Sequence, residues 1–280
     1  MTLLSPAKIN LSLRILGKRP DGFHEIETRL VRLAFGDTVE IEHLGVGTSV
    51  NFTCSDPTVP SDESNLALKA LRAFESRVGT QSSWRIHLEK RIPHGAGLGG
   101  GSSNAATVLR AANELSGSPL ALPQLLELAA QIGSDVPCFL LDSPAADGTG
   151  RGEIVQPADF PHQLHLVLIK PPFPIPTPWA YKNWADSREV PGVLYAPQLC
   201  EWGTMVNDLE RPVFQKYLLL PALKNWLLEH GETRAALMSG SGSTMFAITD
   251  TAAQAAELAE KARAWCGETT WTLATQTAKA

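Results

Sequence analysis

Five glycines within seven residues mark the most chemically suggestive segment of the chain, Pro93-His-Gly-Ala-Gly-Leu-Gly-Gly-Gly-Ser-Ser-Asn104. It follows a strand-like run and leads into an alanine-rich helical pattern. Backbone amides with no Cβ beside them approach an anion closely, and a helix N-terminus adds unpaired donors and the positive end of its dipole. The arrangement is that of a phosphate cradle, a mobile glycine hinge being the plain alternative. Lys90 and Arg91 stand just upstream, where they could add charge. A Walker A loop would end in Gly-Lys-Ser/Thr, whereas Gly101 is followed by Ser102 with no lysine, so that motif fails. Gly95, Gly97 and Gly100 fit G-x-G-x-x-G, but the acidic residue required about 20 positions on would be Glu114, inside the helical pattern. A dinucleotide-binding fold is therefore a weak rival.

Ser5-Pro6-Ala7-Lys8 has the S-x-x-K spacing of penicillin-recognising acyl enzymes, in which the motif opens a helix. Here Lys8 leads into an alternating strand, and no S-D-N or K-T-G partner is present. Lys8 is either a strand lysine with a buried stem or one aimed at a charged ligand. Asp135, in Ile132-Gly-Ser-Asp-Val-Pro-Cys-Phe139, reads by composition as the N-cap of a helix with Pro137 in its first turn. Its functional alternative is a carboxylate held at a ligand cleft. Ser239-Gly-Ser-Gly-Ser-Thr244 is a second small-residue loop, by itself an ordinary connection. His162 and His165 would pair on a metal only from a helix, and on the strand inferred there they point to opposite faces.

Elements must hold these residues in place. Ile9, Leu11, Leu13 and Ile15 alternate with Asn10, Ser12 and Arg14, the period of a half-buried strand, and Lys18-Arg19-Pro20-Asp21-Gly22 supplies a turn after it. Further strands are predicted around 38–42 and 84–88, and helices over 65–74, 103–114 and 122–132, the last stopped by Gly133. The Gly-, Pro- and Ala-rich stretch 143–161 is read as the crossing between two domains, 1–155 and 156–280. Leu164 to Ile169 reads as a buried strand. Pro171-Pro-Phe-Pro-Ile-Pro-Thr-Pro178 reads as an extended, rigid segment without helix. Helices at 217–230 and 252–265 around a strand at 244–248 give the second half an α+β pattern.

A chain of 280 residues, 44% hydrophobic and 19% charged, is long enough for about two domains and too apolar for extended disorder. Its formal charge of −5 argues against tight binding to nucleic-acid polymers or anionic membranes, while leaving small anions to local clusters of cations. Cys54, Cys138, Cys200 and Cys266 form no C-x-x-C pair, which disfavours a zinc or dithiol centre and fits reduced thiols. The start MTLLSPAKIN lacks the basic and apolar regions of a signal peptide, and no apolar run approaches the ~20 residues of a membrane span, so a cytoplasmic protein is expected.

Taken together, Pro6-Ala-Lys-Ile-Asn-Leu11, the segment from Pro93 to Asn104 and Met238-Ser-Gly-Ser-Gly-Ser243 resemble the GHMP small-molecule kinase superfamily, in the family's order and from end to end of the chain. Asp21-Gly-Phe-His24, Gly133-Ser-Asp-Val-Pro137, Gly152-Glu-Ile154, Ile175-Pro-Thr-Pro178 and Asn207-Asp208 resemble the branch that acts on a cytidylylated methylerythritol in isoprenoid precursor synthesis. The resemblance implies a two-domain α+β fold, with an N-terminal domain like the second domain of ribosomal protein S5 and a C-terminal ferredoxin-like domain. It implies ATP-dependent phosphorylation of the tertiary 2-hydroxyl of that sugar alcohol. Lys8 and Asp135 would be the catalytic pair. ATP would be held by Pro93, His94, Gly95, Ala96, Gly97, Leu98, Gly99, Gly100, Gly101, Ser102 and Ser103, with Asn65 and Lys90 near the adenine. Phe23 and Tyr181 would sandwich the cytosine, His24 would read its polar edge, and Asn10 would contact substrate hydroxyl or phosphate groups. Mg²⁺ is expected with ATP, without an assignable protein ligand, and the enzyme is expected to be a monomer or weak homodimer. Ala96 departs from the glycine usual at its position, which implies a slightly stiffer loop.

Overall fold

The computed structural model describes residues 1–279. Two long strands, β1 (Thr2–Lys18) and β2 (His24–Val46), pair antiparallel across a tight turn in which Gly22 takes φ +86°. β2 carries apolar residues on both faces. Leu30, Val39 and Ile41 point into one core, whereas Val31, Leu33 and Phe35 point into another, so the strand is sandwiched. The first core is closed by α1 (Leu66–Val78), α2 (Gly100–Leu115) and α3 (Leu122–Ile132), whose alanine and leucine faces cover β2, β3 (Val50–Cys54) and β4 (Ser82–Glu89).

The expected domain crossing at 143–161 is instead mostly a hairpin. β5 (Ala145–Thr149) pairs with β2 and with β6 (Ile154–Ala158), so the 155/156 boundary falls within a strand of the first sheet. The Gly-rich composition reflects its turn, where Gly150 and Gly152 take φ +70° and +103°. The chain then enters β7 (His165–Lys170), whose Leu166, Val167, Leu168 and Ile169 are all fully buried. The proline run is extended only in part. Thr177-Pro178 opens a short helix, α4 (Thr177–Lys182), because a proline in the first turn forfeits no intrahelical hydrogen bond.

β8 (Gln198–Cys200) and β9 (Gly203–Asn207) return to the first sheet, where β9 lies parallel to β1, giving the order β3-β4-β2-β1-β9-β8 with β5 and β6 branching from β2. After α5 (Glu210–Lys216) and α6 (Leu219–Glu229), β10 (Thr233–Met238), β11 (Met245–Thr249), α7 (Ala252–Cys266) and β12 (Trp271–Gln276) complete a four-stranded antiparallel sheet ordered β10-β11-β7-β12. That is the βαββαβ ferredoxin-like order. Leu166 and Leu168 face the first sheet, and Val167 and Ile169 face α5–α7. The result is four layers, helix, sheet, sheet, helix, with three apolar cores between them.

Candidate active site

Lys8 and Asn10 lie on β1 between two register shifts, alternating with Ala7, Ile9 and Leu11 of the inter-sheet core. The Lys8 amide donates to the carbonyl of Leu98 at 3.0 Å, tying the strand to the glycine loop. Above it Gly99 takes φ +71° and precedes α2, and a Cβ there would stand 2.9 Å from Cγ of Lys8. The loop thus lies directly on the lysine stem, and only glycine fits. Lys8 Nζ donates to Asn10 Oδ1 at 2.7 Å and lies 3.3 Å from Asp135 Oδ2, while Asn10 donates in turn to Thr28 Oγ1 at 2.8 Å.

Asp135 sits just beyond the end of α3, in a turn closed by Val136 N–H to Gly133 O. The N-cap reading is overturned. The short 3-10 turn at Pro137–Phe139 starts from Val136 without a side-chain cap, and the carboxylate goes to Lys8. The serine-nucleophile motif fails structurally too, since Ser5 is fully buried and hydrogen-bonded to Ser103 and Asn104.

These residues open into a cleft of about 880 Å³. Its lining joins Lys8, Asn10, Gly97, Gly99, Ser102 and Asp135 to Phe23, His24 and Tyr181, so the Lys8–Asp135 pair, the glycine loop and the aromatic set share one space. Tyr181 on α4 faces His24 with ring centroids 5.4 Å apart, and Phe23 is half exposed at the rim. Burial, reinforced by the Asp135 carboxylate, pushes the Tyr181 hydroxyl well above the ordinary tyrosine range, so it stays protonated. Burial and then Lys18 hold the His24 imidazole below its ordinary value.

Of the thirteen residues expected at the nucleotide, only Gly97, Gly99 and Ser102 line this cleft, and Asn65 and Lys90 are engaged elsewhere. Asn65 caps α1, accepting from Ala67 N at 2.9 Å and donating to Pro60 O at 2.6 Å. Lys90 is buried beneath the loop, where its ammonium pairs with Asp37 and donates to Asn104 Oδ1. Asp37 also accepts from the amides of Arg91 and Ile92, so this ion pair fixes the approach to the loop. Pro93 to Ser103 form the loop itself, Ala96 being buried with its carbonyl accepting from Thr244 N.

Several lining residues escaped sequence reasoning. Lys18, Arg151 and Lys182 converge from three separate elements, giving the cleft four cationic side chains with Lys8 against the carboxylates of Asp135 and Asp186. A chain of net charge −5 therefore presents a locally cationic site, suited to an anionic ligand. The Arg151 guanidinium lies 4.6 Å over the Phe23 ring. Thr177 and Ser241 join their hydroxyls at 2.7 Å between α4 and the second small-residue loop. Arg151 is signalled in the sequence only by its place beside Gly152-Glu-Ile154, and Thr177 only by lying within Ile175-Pro-Thr-Pro178. Among the described residues no group of three His, Cys, Asp or Glu is placed to hold a metal ion, and no helix is long and apolar enough to cross a membrane.

Known proteins are similar to this chain in sequence and fold. The model of the GHMP kinases N terminal domain matches residues 65–143, and that of the GHMP kinases C terminal domain matches 196–268. The 4-diphosphocytidyl-2-C-methyl-D-erythritol kinase of Methylacidiphilum infernorum is 49% identical, over 87% of this chain and 84% of that one. The enzyme of the same name from Protochlamydia amoebophila is 41% identical over 88% and 83%. A crystal structure of 4-(cytidine 5'-diphospho)-2C-methyl-D-erythritol kinase superposes with a TM-score of 0.82 at 33% identity over the whole of both chains. A homoserine kinase from Cytophaga hutchinsonii, at 18% identity and a TM-score of 0.66 over 98% and 95% of the two chains, shares the fold. With the loop, the paired lysine and aspartate and the four-layer architecture in place, the chain belongs to the GHMP kinases and, among them, to the 4-diphosphocytidyl-2-C-methyl-D-erythritol kinase family.

Proposed function

We propose that this chain transfers the γ-phosphoryl group of ATP to the 2-hydroxyl of 4-diphosphocytidyl-2-C-methyl-D-erythritol, with Lys8 and Asp135 as its catalytic pair. The observation that carries the reading is the 3.3 Å contact between those two side chains at the foot of the glycine loop, in a cleft that also holds an aromatic set. Asp135 accepts or orients the hydroxyl proton, and Lys8 holds that carboxylate and offsets charge growing on the transferred group. The amides from Gly95 to Ser103 cradle the phosphates at the start of α2. Phe23 and Tyr181 grip the cytosine by its faces, His24 reads its edge, and Asn10 steadies the acceptor. Mg²⁺ would enter on the ATP phosphates and neutralise their charge. Four unpaired thiols fit a reducing compartment such as the cytosol, and the enzyme is proposed to act as a monomer or weak homodimer.

The deciding experiment is a coupled ADP-release assay with the cytidylylated substrate and identification of the product, run beside homoserine, mevalonate and methylerythritol phosphate. Turnover confined to the cytidylylated alcohol is expected. Preference for a simple alcohol would overturn the substrate assignment and leave the fold untouched.

A further inference from the structure

The most deeply buried ion pair outside the cleft joins Glu210 of α5 to Lys224 of α6, at 2.5 Å with both side chains almost wholly shielded from solvent. Desolvating two charges is costly, and a well-packed apolar pair often serves stability as well or better, so stability alone is a weak reason for such a pair. Its hydrogen bonds suggest another use. Glu210 Oε1 accepts from the amide of Met238 at 2.9 Å, and Lys224 Nζ also donates to Leu194 O at 2.6 Å, which fixes the carboxylate from behind. On the other side of Met238, Asn207 Nδ2 donates to the carbonyls of Met238 and Gly240, both at 2.7 Å. The residue that opens the second small-residue loop is thus held at its amide and its carbonyl by two buried side chains.

That loop is built into the phosphate cradle. Ser239 Oγ donates to Gly97 O at 2.9 Å, and Thr244 N donates to Ala96 O at 3.3 Å. A Cβ on Gly97 would overlap the Ser239 carbonyl. A Cβ on Gly240 would lie 3.4 Å from both Lys8 Nζ and Asn10 Oδ1, so the loop also walls the catalytic lysine.

We propose that Glu210, backed by Lys224, and Asn207 are positioning residues for phosphoryl transfer, fixing the Ser239 to Ser243 loop so that it holds the glycine loop and Lys8 in register. The reaction being positioned is the kinase reaction proposed above, and the inference rests on that reading. Since phosphoryl transfer depends mainly on alignment, a shift of this wall acts on kcat more than on KM.

Two double variants separate positioning from stability. Glu210→Gln with Lys224→Met and Glu210→Met with Lys224→Met both abolish the ion pair, but only the first keeps an acceptor for the Met238 amide. A purely structural role makes the two cores about equal, because the methionine leaves the buried Met238 N–H unpaired and the glutamine leaves its own side-chain NH2 unpaired. The positioning role separates them in kcat and in loop exchange. Expected is a loss in kcat of tenfold or more for the Met/Met enzyme at nearly unchanged KM for both substrates, faster hydrogen exchange at the Gly242 and Thr244 amides, and recovery of most of kcat and protection in the Gln/Met enzyme. Asn207→Asp, which sets a carboxylate against two carbonyls, should likewise lower kcat and loosen those amides.

Wild-type kcat and protection in Met/Met, or equal losses in both double variants, would overturn the proposal, as would an unimpaired Asn207→Asp enzyme. Should the double variants not be recovered in folded form, the Asn207→Asp result decides. Amide exchange in the absence of substrate reads the loop directly, so a wild-type enzyme inactive on the cytidylylated alcohol would refute the functional reading and leave the loop arm separately scored.

Discussion

Lys8 and Asp135 meet with unequal exposure: the lysine is 4% exposed and held by Asn10, while the carboxylate is 37% exposed and opens to the cleft. The acid is therefore the member of the pair that an incoming hydroxyl can reach, and the lysine is its fixed partner. Asp135→Asn keeps the shape and removes the proton acceptor. A fall in kcat of roughly 10²-fold or more is expected, with ATP and substrate still bound and the melting temperature little changed. Near-normal turnover, measured by ADP release, would remove Asp135 from the chemistry.

Gly101 and Gly99 separate anion approach from packing. A Cβ on Gly101 meets only Leu66 Cδ1, at 3.5 Å, and the residue lies in the first turn of α2 at an ordinary φ, so Gly101→Val should fold normally. Obstructing one amide-to-phosphate contact should weaken ATP roughly tenfold and leave the cytidylylated substrate unaffected. Gly99→Val presses on Lys8 from a left-handed backbone position and should damage ATP binding and kcat together. Separate calorimetric titrations with each ligand check both, and unchanged ATP affinity in a folded Gly101→Val protein would exclude this stretch as the phosphate site.

Stacking on Tyr181 should be worth about 1–3 kcal/mol, so Tyr181→Ala should raise the substrate KM roughly 5- to 150-fold. Tyr181→Phe should cost little, because the hydroxyl stays protonated and, in the proposed function, it is the ring face that would grip the base. ATP affinity should hardly move in either variant. Parallel losses for both ligands, tracking a lowered melting temperature, would make Tyr181 a packing residue.

For His24 the sign of the pH dependence follows from its lowered pKa. The unfolded chain takes up this proton near the ordinary value of 6.5, before the folded one does. The contribution to stability is thus present above that pH and is lost as pH falls through 6.5 toward the folded value. Substrate KM should stay flat through neutrality and rise only at pH values below the ordinary histidine value of 6.5, as the imidazole charges. An NMR titration of the His24 ring giving a midpoint above 6.5 would contradict the environment described here.

Local pattern alone determined the glycine loop, the strand carrying Lys8 and Asn10, the helices around 65–132 and the β–helix–β character of the second half, because apolar period and glycine content are written in neighbouring residues. The hairpin at 145–158 carries only the composition of a crossing between domains, since its strands are short and small-residued and gain their identity only by pairing with β2. Helix α4 was hidden by prolines that the first turn tolerates. Resemblance, and not spacing, joined Lys8 to Asp135. Their meeting, the burial of Lys90 with Asp37, the return of β9 beside β1 and the gathering of Lys18, Arg151 and Lys182 around one cleft were decided by tertiary structure, because charge pairing and burial are set by distances between segments remote along the chain.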